Sequence, residues 1–464
     1  MEKELILKEI LDQNKHWKGD KSFFESQNHK RKLFSKLISY LSERQIISIV
    51  GLRRTGKTIL LKQLIKYLIE HKKVEVKNII FLSFDEALIT SKMTLKHYLD
   101  SYFEIILENK SDQIRYIFLD EIQYVDKWQH ILKRYYDNEK NIKFIISGSS
   151  SLFLKKKTTE SLAGRIYEFK LNPLDFEEFL ELANTETELL NDYRQFSLAA
   201  GETKISQSEN NYILFLARAG DRLAKLFEEY LLFYQFPEVV GQTDKEKIRK
   251  YISESIYKKT IEYDIPRLFS VDKVNELKFL FQILVQENGS LLEFNKISGE
   301  AGIEENTLKN YISYFSDSFL MNLTYNYSKS FRKSKRLQKK MYLSSTNFFN
   351  VFRSGWEDNS ILRAQYLGLL AETYIFNQLI EKFQYLSFYR KGQEEIDFVA
   401  SNDYRNLATH SLIEVKYTKA IQRKDIKFID RTAKKKFKTK YLVYSKRDFK
   451  NDGDKLIIPC FLIK

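Results

Sequence analysis

A glycine-rich loop that ends in Lys57 and Thr58 has the residue types needed to bind a nucleoside triphosphate. Residues 51–58 form a complete G-x-x-x-x-G-K-[ST] loop between apolar runs at 46–50 and 59–65, a setting typical of a strand followed by a helix. Its backbone N–H groups can surround phosphates, Lys57 can reach the β and γ oxygens, and the Thr58 hydroxyl can bind Mg²⁺. A chance glycine turn beside a surface lysine is the alternative, and it requires both spacing and setting to coincide by accident. The predicted nucleotide-binding residues of this loop are Gly51, Arg53, Arg54, Thr55, Gly56, Lys57, Thr58 and Ile59.

A second apolar run, Tyr-Ile-Phe-Leu, ends in the adjacent carboxylates Asp120 and Glu121. This is the Walker B pattern, in which Asp120 would hold Mg²⁺ and Glu121 would polarise the attacking water. A strand that runs into a solvated turn has a similar pattern, but the upstream loop favours the Walker B interpretation. The next apolar run ends in Ser147 and Ser149. Either serine could sense the γ-phosphate, although serines at a strand end also cap helices.

Length and composition restrict the class of protein. With 464 residues, 43% of them apolar, the chain is long enough for two to four domains with their own cores. The net charge of +15 favours an anionic partner such as nucleic acid, although a generally lysine-rich composition would give the same bias. A charged N-terminus and the lack of an apolar run of transmembrane length predict a cytoplasmic protein without membrane contact. The single cysteine, Cys460, excludes an internal disulfide and a cysteine-based zinc site.

The order of apolar runs predicts an α/β protein with several parts. Residues 46–182 alternate between strands and helices, which indicates a parallel-sheet P-loop ATPase core. The helical periodicity on either side predicts an N-terminal helical segment and a helical connector. The predicted divisions are 1–45 for the N-terminal helical segment, 46–182 for the ATPase core, 183–279 for the helical lid or connector, 280–347 for a winged helix, and 348–464 for a C-terminal α/β domain.

Several segments of the first half occur in a combination that is typical of one family. They are the loop with its twin arginines, Asp-Glu-Ile-Gln at 120–123, Ile-Ser-Gly-Ser-Ser at 146–150, Leu-Ala-Gly-Arg at 162–165 and the stretch 171–179. Together they resemble the prokaryotic AAA-type ATPases that carry a restriction-endonuclease-like C-terminal domain, which implies ATP and Mg²⁺ as cofactors. The resemblance makes Arg165 a catalytic candidate, as a γ-phosphate sensor or finger; an ordinary surface arginine is the alternative. Tyr234 and Gln235 depart from the family, which usually has two glycines there.

Residues 280–347 have the pattern of a winged helix. A first helix at 294–301, a tight turn, a recognition-type helix at 306–315 and a hairpin with strands at 319–323 and 340–343 are expected. Between the two strands and into the second, basic residues accumulate without an acid: Lys329, Arg332, Lys333, Lys335, Arg336, Lys339 and Lys340. This wing could contact DNA phosphates, or the winged helix could simply join domains.

The C-terminal domain carries a second set of chemical groups. Glu372 lies in an apolar helix, Asp397 in a strand, and Glu414 and Lys416 two residues apart in another strand, where they point to one face. The set resembles the PD-(D/E)xK nuclease core, although Ile396 replaces the proline of that motif. The resemblance implies that Asp397 and Glu414 hold Mg²⁺ about 4 to 5 Å apart, supported by Glu372, while Lys416 orients the water. A solvated strand with acids and lysines is the alternative.

The stretch 415–450 adds a strong positive charge, with fourteen Lys or Arg residues against three acids. We expect it to lie on a DNA backbone, although a solvated helix face has a similar composition. The sequence therefore predicts an ATP-hydrolysing P-loop ATPase coupled to a DNA-binding, Mg²⁺-dependent nuclease-like domain. The alternatives are a nucleotide-dependent DNA-binding switch that does not cleave, and an ATPase that remodels a protein partner. Assembly with further copies of the chain is left open.

Overall fold

The computed structural model describes residues 2–24, 29–85, 94–107, 113–149, 162–353, 356 and 359–464. These residues form two compact units. Unit 1 consists of Met1–Asn172 with Asp317–Phe319, and unit 2 of Pro173–Ser316 with Leu320–Lys464. Within the described residues, no helix combines the length and the apolar character needed to cross a membrane.

Unit 1 is built on a five-stranded sheet, as the alternation of strands and helices predicted. Its strands are β1 (Ile46–Val50), β2 (Ile79–Ser83), β3 (Arg115–Asp120), β4 (Ile142–Gly148) and β5 (Ile166–Lys170). They are ordered β2-β3-β4-β1-β5, and every neighbouring pair is parallel. Because the strands are parallel, the carboxyl ends of β1, β3 and β4 meet at one edge of the sheet, where ligands bind in open α/β folds.

The helices of unit 1 cover this sheet. They are α1 (Glu2–Gln13), α2 (Lys32–Tyr40), α3 (Lys57–Glu70), α4 (Leu95–Ser101) and α5 (Trp128–Asn138). The leucines of α3 pack with Ile47 and Ile49 of β1 and with Phe34 and Leu37 of α2 in one buried cluster. The i, i+3, i+4 spacing of the apolar residues in α3 places them on the face that contacts the sheet.

The chain just after α1 satisfies the backbone of the edge strand β2. The Asn14 side chain donates to the Phe81 carbonyl (2.9 Å) and accepts from the Phe81 N–H (2.7 Å), and the Trp17 indole donates to the Ile79 carbonyl (2.7 Å). Edge strands expose unpaired N–H and C=O groups, so these side chains replace a neighbouring strand.

Unit 2 combines helices with an eight-stranded mixed sheet. The strands are β6 (Met321–Asn326), β7 (Lys339–Leu343), β8 (Tyr385–Lys391), β9 (Glu394–Ser401), β10 (Ser411–Lys416), β11 (Tyr441–Ser445), β12 (Lys450–Asn451) and β13 (Lys455–Pro459). Their order is β12-β13-β11-β10-β9-β8-β6-β7. The expected hairpin forms as β6 and β7, but β6 also pairs in parallel with β8 through Tyr325 and Ser387. The hairpin is thus continuous with the sheet of the C-terminal strands.

Helices of unit 2 precede, interrupt and cover this sheet. They are α6 (Phe176–Leu182), α7 (Thr187–Phe196), α8 (Glu209–Phe233), α9 (Lys245–Ile252), α10 (Ile265–Phe269), α11 (Val274–Gln286), α12 (Phe294–Ala301), α13 (Glu305–Asp317), α14 (Phe331–Ser334), α15 (Asn347–Phe352), α16 (Ser360–Lys382) and α17 (Lys427–Thr432). In the α12–turn–α13 pair, Gly302 caps the C-terminal end of α12, and its φ of 67° suits glycine. Leu308, Ile312 and Phe315 of α13 are buried, and their helical spacing places them on one face of the helix.

Candidate functional site

Two glycines give the phosphate-type loop its backbone path. Gly51 follows β1 with a φ of 152°, and a Cβ at this position would lie 2.2 Å from the carbonyl oxygen of Leu171. Gly56 has a φ of 96° and lies just before Lys57, the first residue of α3. Neither position accepts a larger residue without strain, so both glycines are required by the turn from strand to helix.

The other residues of the loop are held by local hydrogen bonds. The Thr55 hydroxyl donates to the Leu52 carbonyl (2.9 Å), and Arg53 donates to the Tyr124 hydroxyl (2.6 Å). Arg54 has a left-handed backbone, with a φ of 64°. Ile59 lies in the first turn of α3. The structure therefore brings the predicted loop residues together around one turn.

Arg31 is a residue of this site that sequence analysis did not single out. Its guanidinium is buried and donates to the carbonyls of Thr55 (2.5 Å) and Asn172 (2.8 Å). Because Arg31 precedes β1 and contacts two distant points of the chain, it stabilises the loop from outside. The sequence gives only a weak signal, a cluster of basic residues at 30–32, that does not distinguish this arginine from its neighbours.

The Lys57 ammonium lies inside the loop. Its side chain is 4% exposed, and its Nζ donates to the carbonyls of Gly51 (3.1 Å) and Leu52 (3.0 Å). The same Nζ is 4.0 Å from Glu121 Oε1. Neutral carbonyls hold the positive charge in place without neutralising it, which leaves it available to phosphate oxygens.

Asp120 at the end of β3 is surrounded by hydroxyl donors. The Thr58 hydroxyl donates to Asp120 Oδ2 (2.6 Å), and the Ser147 hydroxyl donates to Asp120 Oδ1. Burial raises the pKa of Asp120 to about 6, with the nearby Glu121 charge adding to the effect, while the two hydroxyls oppose it. Thr58 and Asp120 supply hard oxygen ligands side by side, so this pair fits Mg²⁺.

Glu121 is positioned by its backbone and by a buried amide. It has a φ of 53°, and its N–H donates to Ser147 Oγ (3.2 Å). The Gln123 amide donates to Glu121 Oε2 (2.5 Å) and to Ser149 Oγ (3.0 Å). Of the two predicted sensor serines, Ser147 therefore contacts Asp120 and Glu121 directly, and Ser149 contacts Gln123. Ser150 of the same motif lies outside the described residues.

Arg165 has a different environment from the loop residues. Its Nε is 2.9 Å from Asp137 Oδ1, and its guanidinium lies over the Tyr136 ring at 5.9 Å from the ring centre. In this arrangement Arg165 takes part in a surface ion pair with α5. A role for it at the γ-phosphate stays a prediction.

The second set of predicted residues lies where β9 and β10 separate. Paired residues run from Ser411 with Ala400 to Ile413 with Phe398, and beyond them the Val415 N–H donates to Asp397 Oδ2 (2.7 Å). A side-chain carboxylate thus replaces a backbone acceptor in the ladder. This hydrogen bond holds the Asp397 carboxylate between the two strands.

The remaining acids of this region are bonded to cations or hydroxyls. Lys416 Nζ is 2.6 Å from Glu414 Oε1, and the Tyr342 hydroxyl donates to Glu372 Oε1 (2.7 Å). Glu414 is 5% exposed, and its Oε2 has no hydrogen-bond partner among the residues that the structure describes. We refer to Glu372, Glu395, Asp397, Glu414, Lys340 and Lys416 as the carboxylate cluster.

The charges of the cluster shift the pKa values of its members. Burial, followed by the charge of Asp397, raises the pKa of Glu372 to about 7 and that of Glu414 to about 8. Burial lowers the pKa of Lys416, but the carboxylates of Asp397 and Glu414 outweigh it and raise the net value. The physical cause of these directions is that the acids repel one another and attract the lysine across short distances.

Lys340 corrects one part of the predicted basic wing. It was expected to face DNA phosphates, but its side chain is buried and its ammonium bonds Glu395. Burial lowers the pKa of Lys340, and Glu372 and Glu395 more than compensate. The residue is drawn inward because β7 belongs to the same sheet as β9, which carries Glu395 and Asp397.

The carboxylate cluster has hard oxygen donors but no preformed cage for an ion. Throughout the described part of the chain, no group of three or more His, Cys, Asp and Glu side chains is arranged so that it could hold a metal ion. Protein donors already occupy at least one oxygen of Glu372, Asp397 and Glu414. The donor chemistry fits Mg²⁺, and the arrangement would have to change to bind it.

The basic stretch forms a groove in unit 2. The groove has a volume of about 820 Å³. Its basic lining residues are Arg423, Lys424, Lys427, Arg431, Lys434, Lys450 and Lys455. Four of these seven residues form ion pairs: Arg431 with Glu394 (2.5 Å), Lys434 with Asp430 (3.1 Å), Lys450 with Asp448 (3.2 Å) and Lys455 with Asp452 (2.5 Å). The groove thus presents an excess of positive charge.

Comparisons with known families agree with the geometry of unit 1. Residues 43–180 match the family model of the AAA domain. Residues 224–354 and 367–463 match two domains of unknown function, DUF8612 and DUF4143. Together with the parallel sheet and the loop, the first match defines an AAA-type P-loop ATPase domain.

Relatives extend over most of the chain. The Methanocaldococcus jannaschii protein MJ1544, described as uncharacterized, is 27% identical over 77% of this chain and 80% of its own length. An uncharacterized Haemophilus influenzae protein is 26% identical over 79% of this chain and 82% of its own. Among solved structures, the Aeropyrum pernix ORC1 protein in complex with DNA is 12% identical, with a TM-score of 0.31, over 72% of this chain and 91% of its own. Cdc6p from Pyrobaculum aerophilum is 13% identical, with a TM-score of 0.27, over 75% and 98%.

Proposed function

We propose that this protein binds ATP and hydrolyses it at the loop of unit 1. The observation that carries the proposal is the single network that joins Thr58 to Asp120, and Lys57 to Glu121, at the carboxyl ends of β1 and β3. ATP phosphates would lie on the loop N–H groups, and the Lys57 ammonium would exchange its loop carbonyls for phosphate oxygens. Thr58 and Asp120 would hold Mg²⁺, which supplies positive charge between the phosphates. Glu121 would accept a hydrogen bond from the attacking water and polarise it.

Replacing Glu121 by Gln tests this proposal. The substitution keeps the shape of the side chain but removes the base, so ATP should still bind while turnover falls by about 100-fold or more. Binding is measured with a fluorescent ATP analogue and turnover by phosphate release. Glu139→Gln is the matched control, because Glu139 is exposed and forms an ion pair with Arg115 away from the loop. Equal turnover in Glu121→Gln and wild type would remove Glu121 from the mechanism.

We further propose that unit 2 binds DNA through the basic groove. Exposed Lys and Arg side chains along one groove match the regular negative charge of a phosphate backbone and carry little base preference. The ATPase would then regulate how DNA is held. This proposal is supported by the groove residues and by the net charge of +15.

DNA cleavage at the carboxylate cluster is the second candidate function. It is favoured by Oε2 of the buried Glu414, next to Asp397 and Lys416, which has no hydrogen-bond partner in the part of the chain that the structure describes and is therefore available to a cation. Asp397, Glu414 and Glu372 would hold Mg²⁺, which would supply a polarised water and a phosphate contact. Lys416 would orient that water. In the alternative, a DNA-binding switch that does not cleave, the cluster would only stabilise the fold.

Plasmid cleavage separates these two functions. Wild type, Asp397→Ala and Lys57→Ala are incubated with Mg²⁺ or Mn²⁺, with and without ATP. If the cluster cleaves DNA, Asp397→Ala loses cleavage and keeps ATP turnover, since the two sites use different residues. Asp403→Ala, on the loop after β9, is the control. If wild type leaves the plasmid intact under every condition, the DNA-binding switch is the better description.

A further inference from the structure

A buried amide connects the proposed catalytic glutamate with the end of a second strand. Gln123 lies two residues beyond Glu121 and is 3% exposed. Its Nε2 donates to Glu121 Oε2 at 2.5 Å and to Ser149 Oγ at 3.0 Å. A carboxylate only accepts hydrogen bonds, so the NH₂ group of the amide must face Glu121. The direction of this bridge is therefore fixed by chemistry.

Glu121 needs such a support for two reasons. Its φ of 53° is a conformation that a residue with a side chain adopts at a cost, so the surrounding contacts must hold it. On its other side, Lys57 is 4.0 Å from Glu121 Oε1 and attracts the carboxylate towards the loop. The bond from Gln123 engages the opposite oxygen, Oε2. The carboxylate is thus held between a cation on one side and an amide on the other.

Ser149 gives the bridge its second anchor. Its hydroxyl oxygen accepts from Gln123, which leaves the hydroxyl proton able to donate to another acceptor. Ser149 follows Gly148, the last residue of β4, and β4 is the direct neighbour of β3 and β1 in the sheet. A group that binds to Ser149 would therefore act on Glu121 through one intervening side chain.

We propose that Gln123 is a positioning residue for ATP hydrolysis, which holds the Glu121 carboxylate towards the attacking water and connects it with Ser149. The inference rests on the proposed function of Glu121. Gln123 itself contacts neither the nucleotide nor the water in this role. Its Oε1 is buried and without a hydrogen-bond partner among the described residues, so the recorded hydrogen bonds of the amide are all made by its NH₂ group.

A double-mutant cycle tests the inference. Gln123→Met keeps the length of the side chain and removes the donor. In the protein that retains Glu121, we expect Gln123→Met to lower ATP turnover by about tenfold and to change the dissociation constant for ATP by less than about twofold. In the Glu121→Gln background, Gln123→Met should change the residual rate by less than about twofold, because the bridge then has no catalytic carboxylate to position. An equal fall in both backgrounds would overturn the inference.

A second variant protects the test against misfolding of Gln123→Met. Ser149→Ala removes the far anchor and leaves Gln123 unchanged; it should lower turnover by about threefold, and its effect should disappear in Gln123→Met. The bridge is refuted if Ser149→Ala and a folded Gln123→Met both hydrolyse ATP as fast as wild type while Glu121→Gln remains slow. The proposed ATPase function would still hold in that case. If wild type itself does not hydrolyse ATP, the proposed function fails first.

Discussion

The nucleotide loop of unit 1 and the carboxylate cluster of unit 2 contain the same chemical groups in opposite arrangements. Each places a lysine beside acids at the ends of strands; Lys57 is buried and Lys416 is partly exposed. At the loop, carbonyls hold Lys57 and hydroxyls hold Asp120, so opposite charges stay apart, with Lys57 and Glu121 separated by 4.0 Å. In the cluster, Lys416 lies 2.6 Å from Glu414.

This difference indicates how far each site is prepared for a ligand. Charges that neutral groups hold apart are ready to act on a charged ligand without reorganisation. Charges that neutralise each other must first be separated, which costs free energy in a buried setting. We therefore expect the loop to bind the proposed phosphate and Mg²⁺ without reorganisation, whereas the cluster would need to open to accept an ion.

The largest effect is expected from removal of the loop lysine. Lys57→Ala deletes the charge that would contact the β and γ phosphates, so ATP affinity should fall by about 100-fold or more. Isothermal titration of the purified variant with ATP measures it. Thermal melting of the same variant, by circular dichroism, shows whether it is folded when its ATP affinity is measured. Tight ATP binding by Lys57→Ala would contradict the preorganised loop.

Removal of the cluster lysine should have the opposite profile. At about pH 9, where Glu414 is ionised because its raised pKa is about 8, Lys416→Ala leaves the buried carboxylate without its cation, so the free energy of unfolding should fall by about 2 kcal/mol; this is below the usual loss for a fully buried pair because the Lys416 side chain is 35% exposed. ATP binding should not change. Urea unfolding measures the loss, and Lys419→Ala, at an exposed position three residues further on, is the control. A stable Lys416→Ala would show that the pair contributes nothing.

Charge reversal in the basic groove should weaken DNA binding on any sequence. Lys424 and Lys427 are exposed in the groove, and replacing both by Glu should lower affinity by roughly tenfold and reduce the slope of log K against log salt by about 2. Lys247→Glu with Lys250→Glu applies the same charge change at the same spacing on α9, outside the groove. Fluorescence anisotropy with two unrelated duplexes provides the affinities. Equal losses in both double variants would indicate that net charge, rather than the groove, binds DNA.

A further difference concerns pH. The pKa of Glu414 is raised by burial from 4.5 to about 8, so the native state retains a proton that the unfolded chain loses, and stability falls as the pH rises from about 4.5 to 8. Glu414→Gln does not ionise, so its stability should fall less than that of wild type between pH 5 and pH 8.5. Urea unfolding across this range gives the slopes. Glu381→Gln, at an exposed position of α16, should retain the wild-type slope.

Local features of the sequence were enough to predict the nucleotide loop and the parallel sheet. Gly51, Gly56, Lys57 and Thr58 lie within eight residues, so their spacing alone specifies a turn between strand and helix. Apolar runs separated by helical stretches likewise indicate parallel strands, because each crossover needs a helix. The apolar run before Asp120 and Glu121 likewise indicates a parallel strand, β3, that ends at these two acids.

Other contacts depend on which strands become neighbours, and only the tertiary structure decided them. Lys340 looked like one more residue of a basic wing, but the pairing of β6 with β8 places its strand in the sheet of Glu395, 55 positions later in the chain. Gln123 and Ser149 are 26 positions apart and meet because β3 and β4 are adjacent. Sequence spacing specifies backbone geometry over a few residues, whereas a buried charge or amide finds its partner through the packing of the whole sheet.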